Sequence, residues 1–279
     1  MIYLLGSVLL FSLNNLLWSN YVKKESLFKL IRKRAFFTTT FTGIILVYVF
    51  FNTDFELQKN LLNLLPISIL GFIGLVCLVK GFKNGSIIEF SVYSLLLVLI
   101  IGIIGEKTNT LVVLSRPWPI ILVFFGYFYF IYKKFKIKKN KNIFVAHIYF
   151  LIAHICFGCL LYLQWLLLEN TPNVVIAFSQ ELTVLILAST IHLYKPNKKK
   201  RPNYIKKWEY ALFALPISLA VILGLEGLKS THPFHYTLIG LLTPVITVLL
   251  DVIINKETLK ADAVIGILTM LSGLIWFYF

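Results

Sequence analysis

Hydrophobic residues fill long unbroken runs along this chain, and charged residues are confined to the gaps between them. Ten runs stand out: Tyr3–Tyr21, Ala35–Phe51, Leu61–Val79, Ser86–Gly105 and Leu111–Tyr132, then Ile143–Leu167, Asn173–Tyr194, Trp208–Leu225, Phe234–Ile254 and Ala261–Phe279. A helix of about 20 residues crosses a hydrocarbon core of roughly 30 Å. Lipid offers no partner to a backbone N–H or C=O, so runs of this length are read as helices. The pattern predicts an all-α integral membrane protein with ten transmembrane helices and no segment long enough for a soluble domain.

Composition agrees with that pattern. Hydrophobic residues make up 58% of the 279 positions and charged residues 14%, against about 25% charged in soluble domains. The formal net charge of +15 does not imply nucleic acid, because the basic residues fall in short clusters between apolar runs. Lys23, Lys24, Lys29, Arg32, Lys33 and Arg34 fill the first gap, Lys80 and Lys83 the third, Lys133 to Lys141 the fifth, and Lys195 to Lys207 the seventh. The other gaps are poor in Lys and Arg. The positive-inside rule then puts the odd-numbered gaps in the cytoplasm and both termini outside. The first run lacks a basic leader and a small-residue cleavage site, so it reads as a true span. Cys77, Cys156 and Cys159 all lie inside runs and read as packing residues, with no metal site or cofactor expected.

A faint repeat divides the chain. Glu106 follows the fourth run and Glu257 the ninth, while Trp18 and Trp165 stand near the ends of the first and sixth, at nearly the same separation. Two five-span halves, residues 1–139 and 140–279, must insert with opposite orientation because five is odd. That is the inverted-repeat plan of secondary transporters, with the substrate near the midplane between the halves.

The last two runs carry the most specific pattern. Pro244 lies inside one, Glu257 and Leu259 at the turn, and Gly266 and Gly273 on one face of the next. This stretch, strongest over 233–279, resembles the closing helix pair of EamA-type transporters of the drug/metabolite transporter superfamily. Arg34, just before the second run, matches a basic residue that this family often carries. The first half departs from the pattern: its fourth run has no counterpart of Pro244, and its fifth contains Ser-Arg-Pro-Trp-Pro at 115–119. The resemblance implies export or exchange of small metabolites by alternating access, in the inner or plasma membrane of a bacterium.

Polar groups within the runs are the candidates for chemistry, since each is costly in hydrocarbon. Glu181, with Gln180, lies a third to a half of the way into the seventh run. An isolated carboxylate there suits proton coupling or pairing with a cationic substrate; the structural alternative is an ion pair with Arg116 or another interior base. Asn14, Asn15 and His154 sit at comparable depth and could hydrogen-bond a substrate or a neighbouring helix. Thr243 and Pro244 suggest a kink that shapes a cavity. Pro117 and Pro119 suggest a second break, with Arg116 beside it either binding an anion or reaching the outer surface. Trp18 and Trp118 are candidate cavity walls, and Glu106 and Glu257 structural turn residues.

The chain has no G-x-S-x-G, H-E-x-x-H or G-x-x-x-x-G-K pattern, so no enzyme activity is expected and transport would draw on a gradient. The reading is a secondary transporter, an exporter of a small polar, amino-acid-like metabolite. Asn14, Trp18, His154, Gln180, Glu181 and Thr243 are its expected substrate contacts. Carriage of quaternary amines or nucleotide sugars, and a non-transporting membrane scaffold, are the alternatives.

Overall fold

The structure, a computed structural model, describes residues 1–52, 63–98, 116–134, 141–194, 205–255 and 261–278, and these contain helix and no strand. The helices are α1 (Ile2–Tyr21), α2 (Leu27–Asn52), α3 (Leu64–Asn84), α4 (Ile87–Leu97), α5 (Pro117–Lys134), α6 (Lys141–Leu167), α7 (Asn173–Tyr194), α8 (Lys207–Ser230), α9 and α10 (Ala261–Tyr278). Two are interrupted. α4 turns at Tyr93, between Ile87–Val92 and Ser94–Leu97, and α9 turns at Leu241, between Pro233–Gly240 and Leu242–Asn255. Among the described residues, eight helices are long and apolar enough to cross a membrane, with α4 and α5 shorter. The expected turn residues Glu106 and Glu257 lie outside the described residues, as do residues 99–105 of the expected fourth run.

Local chemistry sets several boundaries. α4 starts at a capping box, in which the Ser86 hydroxyl accepts from the Glu89 N–H and the Glu89 carboxylate accepts from the Ser86 N–H. In α9, Pro244 has no N–H to give the carbonyl of Gly240, and the helix breaks between the two. Pro117 and Pro119 both fall in the first turn of α5, where the missing N–H groups would have no helical partner anyway, and residues 111–115, on the far side of the expected break, lie outside the described residues. α2 begins two turns earlier than its apolar run. Arg34, expected in the connection before it, is inside the helix and 2% exposed.

Four pairs pack closely, α1 on α8, α2 on α7, α3 on α6 and α5 on α10, while α4 lies against α6 and α9, and α9 against α1 and α4. Exchanging each of α1–α5 for the helix five places later returns the same four pairs. Hydrogen bonds fasten α1 to its neighbours. The Ser7 hydroxyl donates to the Ala220 carbonyl at 2.8 Å and the Ser12 hydroxyl to the Thr243 carbonyl at 2.9 Å. Between α3 and α6, the ring of Phe150 fills the notch left by Gly81, where a Cβ would stand 2.4 Å from it.

Candidate functional site

Between these pairs lies a cavity of about 230 Å³, walled by α1, α3, α4, α6, α7, α8 and α9, with Arg34 reaching in from α2. Its walls include Asn14, Trp18, His154, Gln180, Glu181 and Thr243, so six residues scattered over the sequence meet at one place. Asn15 and Pro244 line it as well. Most of the surface is apolar, with a few polar groups converging on it, as in small-molecule sites generally.

The centre of the site is an ion pair. Arg34 Nη2 lies 2.9 Å from Glu181 Oε2, and both side chains are buried. The Thr38 hydroxyl donates to the same oxygen at 2.5 Å. Glu181, 5% exposed, is therefore not the isolated carboxylate that its sequence context suggested, and its partner is Arg34 rather than Arg116. The guanidinium also lies over the Trp18 ring, 5.4 Å from its centroid, a cation–π contact that strengthens away from water. Trp18 in turn meets Phe213 edge-on at 4.6 Å.

The remaining polar groups are tied to the walls. His154 is 1% exposed. Its Nδ1 lies 2.8 Å from the Phe150 carbonyl, which makes Nδ1 the donor and leaves Nε2 to accept from Ser94 at 3.4 Å. Gln164 donates to Gln180 at 2.8 Å. Two buried atoms on cavity residues have no hydrogen-bond partner among the described residues, Asn14 Oδ1 and Arg34 Nε. Gly240, whose carbonyl cannot take its usual helical bond from Pro244, is another residue of the wall. Irregular backbone at membrane depth is tolerated where it lines such a space.

Other expectations fall elsewhere. Trp118 is 67% exposed on the outer face of α5, away from the cavity. Arg116 is exposed at the end of α5, with Nη1 3.5 Å from the Phe277 carbonyl, so it reaches the surface and does not join the site. No group of three or more metal-ligating side chains occurs among the described residues. Sequence reasoning missed Arg34, Thr38, Ser94 and Gln164 as site residues. By sequence the first of these stands in the basic gap before the second run, where hydropathy gives no sign of burial.

Residues 144–279 match the EamA-like transporter family. These residues, the second half of the chain, belong to that family. The chain is an integral membrane protein whose second half is of the EamA type, in the drug/metabolite transporter superfamily. A protein of known crystal structure shares the fold, covering 96% of this chain and 96% of its own with a TM-score of 0.67 and 15% sequence identity. That likeness is one of fold, and it extends over both halves of the chain. No curated protein matches the sequence.

Proposed function

We propose that the chain is a gradient-driven exporter of a small, amino-acid-like metabolite, which binds in the cavity around Arg34 and Glu181 and crosses by alternating access. The observation that carries this reading is a buried pair of opposite charges in the wall of a mostly apolar cavity, within a transporter family. Asn14, Trp18, His154, Gln180 and Thr243 would orient the substrate, and Glu181 is the carboxylate through which recognition and proton coupling would act. The symmetric pairing of helices supports two inverted five-helix repeats, 1–139 and 140–279, with the site between them. Basic clusters at alternate connections support both termini outside, and the family resemblance supports the cell membrane of a bacterium.

A quaternary amine would need the face of Trp18, over which Arg34 already lies. A nucleotide sugar would need more positive charge than one paired arginine supplies. A passive scaffold would gain nothing from buried polar groups gathered around a cavity. The test is counterflow in proteoliposomes of the full chain, preloaded in turn with amino acids, a quaternary amine and a nucleotide sugar. Saturable exchange of amino acids, absent from protein-free vesicles, is the expected result. Exchange of only another class, or of none, would overturn the proposal.

A further inference from the structure

Resting on the amino-acid reading, we infer that Arg34 is the docking group for the substrate's carboxylate and that Glu181 is its exchangeable internal counter-ion. The site then selects molecules that carry a carboxylate and an ammonium together on an apolar body.

The geometry of the guanidinium carries the argument. Nε and Nη2 form one edge of its fork, the edge that can grip a carboxylate with two parallel hydrogen bonds. Glu181 engages that edge through Nη2 only, with a single oxygen, and Nε has no partner. An arginine with a purely structural role at this depth would be expected to use both donors, because each one left over costs desolvation. Thr38 holds the same Glu181 oxygen, so the carboxylate keeps a donor when Arg34 turns to another ligand. The Trp18 ring supports the guanidinium from one side in either arrangement.

A second orphan completes the pattern. Asn14 Oδ1, buried on the cavity wall, is an acceptor without a donor. The two unmatched atoms of the cavity are thus one donor beside a cation and one acceptor. A carboxylate and an ammonium are their complements. Charge balance gives the selectivity. A simple carboxylic acid taken by Arg34 would strand Glu181 without its cation, and a simple amine taken by Glu181 would strand Arg34. Stranding a buried charge is strongly unfavourable. A zwitterion replaces both halves of the pair at once and leaves no charge uncompensated. Leu75, Leu78, Phe157, Val184 and Val221 supply the apolar wall for its side chain.

The experiment is a thermal-shift comparison on the purified full chain in detergent. The probes are L-leucine, L-methionine and L-phenylalanine, each beside its amide, which lacks the carboxylate, and its N-acetyl derivative, which lacks the ammonium. Only the unmodified amino acids should raise Tm. In Glu181→Gln the ranking should invert: the N-acetyl acids should act at concentrations at least tenfold lower than in the wild type, and the amino acids should lose a similar factor. If amides or N-acetyl acids stabilise the wild type as well as the amino acids do, one charge suffices. The inference then fails while the amino-acid reading stands. If Glu181→Gln weakens every probe equally with its ranking unchanged, the pair is structural and the inference also fails. If no amino acid shifts the wild type, the functional reading falls and the inference with it. Should Glu181→Gln not fold, the three-way comparison on the wild type decides alone.

Discussion

Gly126 of α5 and Gly266 of α10 face each other so closely that neither has room for a side chain. A Cβ on Gly126 would stand 2.7 Å from the Gly266 carbonyl oxygen, and one on Gly266 would stand 3.0 Å from the Gly126 carbonyl oxygen. Gly273 repeats the approach, its Cβ position lying 2.7 Å from the Pro119 carbonyl. Without a hydrophobic force between helices in lipid, such backbone proximity is what holds a pair together. Gly126→Ala would have to push backbone apart, because its Cβ would also lie 2.4 Å from Met270 N. The expected loss is about 1–3 kcal/mol, read as a lower Tm in detergent. Gly240→Ala is the matched control. Nothing lies within 4 Å of its Cβ position, so its Tm should stay the same or rise.

Arg34 and Glu181 hold each other's charge deep in the bundle. Arg34→Met leaves Glu181 without its cation and should cost roughly 3–5 kcal/mol. Adding Glu181→Leu removes the stranded charge, so the double variant should be more stable than the sum of the two single losses predicts. A double-mutant cycle by thermal or denaturant unfolding measures this, with a coupling of at least ~1 kcal/mol expected for groups in direct contact. Strict additivity would mean that the two charges are stabilised separately.

That ion pair also marks where the sequence stops being legible. The apolar runs reveal the helices because lipid punishes any exposed backbone polar group, and that rule acts on each segment alone. Depth within a run brought out Asn14, His154 and Glu181 for the same reason. Arg34 was hidden by its neighbours: it follows Lys29, Arg32 and Lys33, and four basic residues in six positions read as a solvated connection. In the fold, α2 begins before them, so one of the four turns inward while the others stay at the surface. Which one turns is decided by Glu181, 147 residues away, and no local pattern contains that choice.

Glu25, in the connection between α1 and α2, gives the fold an acid-sensitive contact. Burial to 8% exposure pushes its carboxyl up. The Lys29 ammonium at 3.0 Å, the Ser26 N–H and the Tyr210 hydroxyl outweigh that and hold it below the usual carboxylate value. A carboxyl depressed in the folded state contributes stability above its unfolded pKa, near ~4.3, and loses it as pH falls through the lower folded value. The wild type should therefore lose Tm between about pH 4.5 and the folded value, and Glu25→Gln should lose less over that interval. At pH 7 the variant should melt below the wild type, and at the acid end the two should converge. Equal slopes for both proteins would remove Glu25 from the acid response.

Pro244 keeps the Gly240 carbonyl without its helical donor and α9 in two segments, at a point where both residues line the cavity. Pro244→Ala restores the missing N–H and allows one continuous helix through Leu241. Proline in a helix interior costs ~3 kcal/mol, and part of that should return as a higher Tm. If the break serves as the hinge of alternating access, joining the segments makes the two end states harder to exchange without changing the groups that touch substrate. Counterflow in proteoliposomes should then show a lower maximal rate with a nearly unchanged half-saturating concentration. A higher Tm with an undiminished rate would make the break a feature of cavity shape alone. A raised half-saturating concentration at full rate would instead give the Gly240 carbonyl a part in binding.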